Sequence, residues 1–278
     1  MTTALGILRG TFGRVALLDM DTSLVPHAHH HCHIILKVSG PDQHFIVEEN
    51  TLPVRDDTAV LVNTWEQHRY QHQSHDRRTV FLALYIEPAW LASTDRNFAR
   101  CGQPAFFISP GVAINDRIRT LRQDLAERIG LENYDDPREA EQIIFDLTSA
   151  VVHQFGNLRS GTTARTPESH DYRIRRAVLH MQRNHDTAPD LDQVARLAGL
   201  SRPHFNHLFR QCTGVSPAVY ANSIRVEAAV RALSEQPKPI LDVASDLGFS
   251  APSNFTRFFQ QHTGIAPRNF RHALAQVG

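Results

Sequence analysis

Along the first 87 residues the apolar positions come in short runs: HHCHIILKVSG (30–40), HFIVEEN (44–50), TAVLVNTW (58–65) and TVFLALYIE (79–87). Each run is rich in β-branched and aromatic residues and is bounded by Gly, Pro, Asp or Asn, which is how strands joined by turns read. That rhythm predicts an antiparallel barrel or sandwich. From about residue 111 the period lengthens. Ile114, Ile118, Leu121, Leu125 and Ile129 step by four, three, four and four, and so predict one apolar stripe on a helix over 112–130. Pro137 can open a second helix, 137–155, with Ile143, Ile144, Leu147, Val151 and Phe155 on one side. Such stripes must be buried, either against the β-structure or against a second copy of the chain. The stretch GNLRSGTTARTPESH (156–170) has no period and reads as a linker.

Beyond the linker the chain says one thing twice. GLSRPHFNHLFRQCTG (199–214) returns as GFSAPSNFTRFFQQHTG (248–264), with one residue added between the serine and the first aromatic. Two copies are fewer than the roughly three a solenoid needs, so the pattern is a duplicated module. In the first copy Leu191, Val194, Ala195, Leu197 and Ala198 line a helix, and Gly199 stands where a turn requires positive φ. Ser201 is placed to cap the next helix, and Pro203 falls in its first turn. Phe205, Leu208 and Phe209 bury one side of that helix. Arg202, His204, Asn206, His207 and Arg210 face outward. The second copy follows suit, with Ile240, Val243 and Ala244 before the turn at Gly248 and Ser250 as the expected cap. Phe255, Phe258 and Phe259 point inward there, and Ser253, Asn254, Thr256 and Arg257 outward. Each copy is therefore a helix-turn-helix closed by TGVSP (213–217) or TGIAP (263–267).

Between the copies, AVYANSIRVEAAVRALSEQ (218–236) predicts a helical rod. At about 1.5 Å per residue it spans about 27 Å, close to the roughly 34–36 Å between successive major-groove faces once the module widths are added. Charge agrees with a polyanionic partner. Lys+Arg and Asp+Glu balance at 29 each over the 278 residues, but residues 170–278 hold 13 basic and 8 acidic side chains, 12 of the 13 being arginine. Arg257 is the best candidate for reading a base, because arginine can give two hydrogen bonds to guanine. Asn206 can do the same for adenine. For each outward residue the alternative is a solvated face or a phosphate contact, and for Arg202 and Arg210 that alternative leads.

These residues carry a resemblance. GLS, F, LF, TG and P in the first copy and GF, NF, R, F, G and P in the second, with RVEAAVRAL between, resemble the AraC/XylS family of bacterial transcription regulators over about 170–274. The resemblance implies a seven-helix DNA-binding domain. Its DNA-contacting positions fall on Arg202, Pro203, Asn206 and His207, and on Pro252, Ser253, Thr256 and Arg257. His207 departs from the arginine common in the family.

The N-terminal part adds histidines. VPHAHHHCHIILKVSG (25–40) holds His27, His29, His30, His31 and His33, and His68, His72 and His75 come later. On a strand, His27, His29, His31 and His33 would share a face. With the later QHRY, this stretch resembles the cupin-like sensor domain of many such regulators, over about 15–87. The resemblance implies a small-molecule effector pocket, for which His29, His31, His68, Trp65 and Tyr70 are the candidates. No cofactor is expected; the alternative is a divalent transition metal on His29, His31 and His68, with His27 as a replacement. Metal-binding cupins usually carry a glutamate a few residues after H-x-H, where Ile34, Leu36 and Lys37 stand here.

The expected fold is α+β in two domains: a cupin-like β domain (1–110), a helical region for dimerisation (111–156), a linker (157–169) and a double helix-turn-helix domain (170–278). The expected function is an effector-controlled, DNA-binding transcription regulator and not an enzyme. A metal-sensing regulator is the alternative, and a metal-dependent cupin enzyme a more distant one. Promoter DNA, an effector, a second copy of the chain and, for an activator, RNA polymerase are the expected partners. Cys32, Cys101 and Cys212 are scattered and odd in number, which suits a reducing compartment. The start MTTALGILRGTFGRV lacks the features of a signal peptide, and no apolar run spans a membrane, so a cytoplasmic location is expected.

Overall fold

All four predicted runs are strands in the computed structural model, and five further strands flank them among the described residues. The structure describes residues 2–73, 77–95, 98, 100–103, 105–130, 137–158, 171–235 and 238–275. The expected linker lies almost entirely outside the described residues, as does His75. A six-stranded antiparallel sheet runs in the order β1 (Thr3–Gly10), β2 (Gly13–Met20), β8 (Thr79–Ile86), β3 (Cys32–Ser39), β6 (Thr58–Val62) and β9 (Gly111–Ala113). A three-stranded sheet is ordered β5 (Asn50–Val54), β4 (Gln43–Val47) and β7 (His68–Gln71). Val112 and Ala113, expected to begin the helix over 112–130, instead pair with β6 together with Gly111, and the helix starts at Asp116.

The larger sheet is buried on both faces. Ile35, Val60, Phe81, Ala83 and Tyr85 share a core with Phe45, Val47, Val54 and Tyr70 of the smaller sheet. Val15, Leu17, Ile34, Leu36, Leu82 and Leu84 point the other way, beneath α2 (Asp116–Gly130) and α3 (Pro137–Phe155). A strand covered on both sides has no polar alternate, which is why these runs are continuously apolar. The stripes of α2 and α3 are consumed here: Ile118, Leu125, Ile129, Ile144, Leu147 and Val151 are buried within the one chain. The sheet, not a second copy, takes them.

A short α1 (Pro88–Thr94) follows β8, and seven helices complete the described chain. They are α4 (Tyr172–Arg183), α5 (Leu191–Leu197), α6 (Arg202–Thr213), α7 (Pro217–Glu235), α8 (Ile240–Asp246), α9 (Pro252–Thr263) and α10 (Pro267–Ala275). α7 is shared between two cores. Its Tyr220 and Ala221 pack with Phe205 and Phe209, and its Val226, Ala229, Val230 and Leu233 pack with Phe255 and Phe259. That second core continues into the sheets, where Arg14 lies 4.1 Å from the Tyr85 ring centre and 5.9 Å from that of Phe270. Among the described residues no helix is long and apolar enough to cross a membrane.

Candidate nucleic-acid interface and histidine cluster

The two repeats fold alike. Each pairs a short helix with a twelve-residue one, α5 with α6 and α8 with α9, across a glycine at φ +70° (Gly199) or +67° (Gly248). Each long helix ends on a left-handed glycine, Gly214 or Gly264, and the next helix begins at Pro217 or Pro267. The Thr213 hydroxyl donates to the Phe209 carbonyl at 2.8 Å, and Thr263 does the same to Phe259 at 2.8 Å. Duplication of sequence has produced duplication of hydrogen bonds.

The caps differ from expectation. Ser201 occupies the N-cap of α6 in extended conformation, yet its hydroxyl makes no capping bond. At α9 the cap is Ala251, the added residue, while the Ser250 hydroxyl accepts from Asn254 Nδ2 at 3.2 Å. The insertion moves Pro252 to the first helical position, where Arg202 stands in α6, so the serine no longer aligns with the helix end.

The buried and open faces are the predicted ones. Phe205, Phe209, Phe255 and Phe259 are fully buried, with Leu208 and Phe258 packed at the edges. Pro203, Asn206, His207, Pro252, Ser253 and Arg257 are exposed; Arg202 and Thr256 are half-buried. Arg202 is engaged, donating to Asn206 Oδ1 at 3.2 Å and to Asp192 at 3.1 Å. A buried arginine braces the second turn from α7. Arg225 donates to the Leu247 carbonyl at 3.2 Å, with its guanidinium 4.4 Å from the Phe249 ring centre and 5.1 Å from that of Phe258.

The histidines sort themselves differently from the predicted trio. His27, His29 and His68 are buried together, each offering a ring nitrogen within 4.8 Å of the others. His33 joins them, its ring centre 5.1 Å from that of His29 and 5.4 Å from that of His68. His31 leaves the trio because regular strand begins only at Cys32, so side chains before it need not alternate. It turns to Glu87, whose Oε1 lies 3.1 Å from His31 Nε2 and 3.0 Å from His30 Nε2. Those two histidines hold the Glu87 carboxyl far below the usual carboxylate range. Burial holds His33 and His68 at about 3 and lowers His27 and His29 well below 6.5, so all four rings are neutral near pH 7. His33 was legible in the sequence, six residues after His27, as one of the histidines expected to share a strand face.

Trp65 and Tyr70 also part company. Tyr70 is wholly buried against Phe45 and Phe81, with its hydroxyl 2.7 Å from His72 Nδ1, away from the cavity that Trp65 lines. Trp65 stacks on Tyr220 at 4.6 Å and lines a cavity of 670 Å³ between the sheets and helices α4, α6 and α7. Phe107, Ile108, Val178, Gln182 and Cys212 line it too. The space beside His27 and His29 is only about 20 Å³. No sequence period points to the larger cavity, because its walls come from segments more than a hundred residues apart.

Residues 194–273 match the family model described as a helix-turn-helix domain. An uncharacterized HTH-type transcriptional regulator of Haemophilus influenzae is 24% identical over 105 residues, covering 38% of this chain and 35% of that protein. The chain thus spans about a third of that relative's length. The probable transcription factor PqrA of Proteus vulgaris is 33% identical over 93 residues, covering 34% of this chain and 76% of its own. Over nearly the full chain the fold is similar to that of apo ToxT from Vibrio cholerae (TM-score 0.59, 12% identity, 96% of this chain and 98% of ToxT). ToxT with an unsaturated fatty acid bound gives a TM-score of 0.52 at 12% identity, over 100% of this chain and 96% of that one.

Proposed function

The chain belongs to the AraC/XylS family of transcription regulators, and on that premise we propose that α6 and α9 read successive major-groove segments of one promoter. The observation that carries this reading is the arrangement around α7. A single 19-residue helix, about 28 Å long at 1.5 Å per residue, roots the inner faces of both long helices. Their outer faces stay polar and exposed. Two helix-turn-helix units on one rigid rod fit the roughly 34–36 Å groove repeat.

On this reading Arg257 contacts a base edge, Asn206 contacts another after release from Arg202, and Arg202 holds a phosphate. Arg257→Ala is expected to weaken binding of the cognate site by about 1–3 kcal/mol, roughly 5–150-fold, and to relax choice at one base pair. Fluorescence anisotropy on a site selected from random duplexes, with every single-base variant, measures both. An equal loss on all sequences would make Arg257 a phosphate contact. No salt-dependent binding of any duplex would remove the DNA-reading proposal itself.

The 670 Å³ cavity is the effector site in this reading, its size being that of drug-sized ligand pockets. Its described lining includes Glu48 and Glu66 and no basic side chain. Burial raises the Glu66 carboxyl, which accepts from the Asn63 backbone N–H at 2.8 Å. A fatty acid such as that bound by ToxT would bring its carboxylate beside two acids here. A neutral or cationic aromatic effector, stacking on Trp65, is the better match. In a thermal-shift screen such compounds should raise Tm in the parent and lose most of that effect in Trp65→Ala. Stabilisation by fatty acids alone would contradict the match. A second copy of the chain would meet the polar faces of α2 and α3, since their apolar stripes are already used.

A further inference from the structure

The histidine cluster is chemically unlike the effector cavity. About 20 Å³ is room for one water-sized particle and not for an organic molecule. Within the cluster itself the hydrogen bonds are one-sided. Nδ1 of His27 lies 2.9 Å from the Val25 carbonyl, Nδ1 of His68 lies 2.9 Å from that of Glu66, and Nδ1 of His33 lies 2.9 Å from that of Leu84. A carbonyl only accepts, so each Nδ1 carries the proton and each Nε2 keeps a free lone pair. Metal-bound histidines are held the same way, with the second ring nitrogen donating to a carbonyl. Among the described residues, neither ring nitrogen of His29 and not Nε2 of His68 has a hydrogen-bond partner, although all three atoms are buried. Orphaned buried nitrogens in a native core call for an explanation.

We infer that His27, His29 and His68, with His33 beside them, form a binding site for one divalent d-block cation of the zinc class. An all-imidazole set suits Zn, Cu, Ni or Fe and offers no oxygen for Ca or Mg. The neighbouring trio of His30, His31 and Glu87 is the weaker candidate. Its carboxylate already accepts from both Nε2 atoms, so those imidazoles give hydrogens rather than lone pairs.

The site is also wired to the helical half. Ala28, between two of the ligands, accepts through its carbonyl from the Ser223 hydroxyl of α7. Val25 N–H donates to the Gln261 carbonyl of α9 at 3.3 Å. His27 and His68 exchange backbone bonds at 3.0 and 2.8 Å. Metal–nitrogen bonds of about 2.0–2.1 Å hold tetrahedral ligand atoms about 3.4 Å apart, a separation compatible with ring nitrogens that all lie within 4.8 Å of one another. Fixing the three rings on one ion constrains residues 25–29, and through their hydrogen bonds α7 and α9. Metal occupancy therefore changes DNA affinity, a consequence that rests on the DNA-reading proposal, whereas the site itself does not.

The test uses the full chain, stripped with chelator and titrated with Zn²⁺ and separately with Co²⁺. One equivalent of each should bind, and the Co²⁺ complex should show four-coordinate d–d absorption without a thiolate charge-transfer band. His29→Ala and His68→Ala should each weaken binding by more than the 10–100-fold that losing an outer hydrogen-bond partner costs. Circular dichroism checks that they fold. His29→Cys should keep the metal and add the sulfur-to-cobalt band, which a purely structural histidine would not do. Glu87→Gln should leave affinity within a few-fold. Absence of stoichiometric binding, or binding lost in Glu87→Gln and kept in His29→Ala, overturns the site. Zn²⁺ should shift DNA affinity in the parent and much less in Ser223→Ala. Unchanged DNA affinity on saturation overturns the coupling and leaves the site standing, and failure to bind any DNA defeats the groove reading alone.

Discussion

Phe259→Ala is expected to lower folding stability by about 3–5 kcal/mol, the range for emptying a buried aromatic position. Against a typical total of about 5–15 kcal/mol, that removes a large part of the folding stability. The ring is fully buried, 5.4 Å from Phe270 and 5.9 Å from Phe255 by centroid. Its core is continuous with the sheets through Phe270 and Ala273, so neighbours anchored on several sides cannot collapse into the void. Urea unfolding should show a lower midpoint at unchanged slope. Specific DNA binding should fall with it. A loss under about 1 kcal/mol would mean that the ring is not packed as described.

Gly248→Ala should be the more damaging of two superficially equal substitutions. Both turn glycines sit at positive φ, where an alanine costs about 1–2 kcal/mol. At Gly199 nothing lies within 4 Å of an added Cβ, so that cost is the whole effect. At Gly248 the Cβ would stand 2.2 Å from the Asp186 carbonyl oxygen and 3.2 Å from Thr187, on the loop after α4. The backbone of the first unit must move, or the two units must part. Asparagine separates the two causes, because it tolerates left-handed backbone yet still carries a Cβ. Gly199→Asn should be nearly neutral in equilibrium unfolding, and Gly248→Asn should remain strongly destabilised. Equal losses at the two sites would show that the units do not touch there.

The helical half was almost wholly legible. Its apolar spacing fixed the inward faces, its glycines the turns, and its prolines the helix starts, because each of these acts within about four residues. The strands were read in part. β2 lies in GRVALLDM, a run buried on both faces that offers no alternation to read, and β1 lies in ALGILRG, where the exposed Leu5 is apolar and so hides the outward face. β5 contains Pro53, which weakens any strand reading and is tolerated because β5 is a sheet edge. The Ser250 cap failed for a local reason: the inserted Ala251 takes the terminal place.

Taken alone, the sequence determined that two similar modules exist, which of their side chains are buried, and that a helix of groove-matched length joins them. Short-range periodicity and backbone chemistry suffice for that. Only the tertiary structure decided which histidines meet. His68 is 41 positions beyond His27 yet shares backbone bonds with it, while His31, two positions from His29, points to Glu87. It also decided that the roomy cavity lies between sheets and helices, with Trp65 against Tyr220. Such meetings depend on how sheets and helices pack against each other, and the spacing of residues along a chain carries no record of that packing.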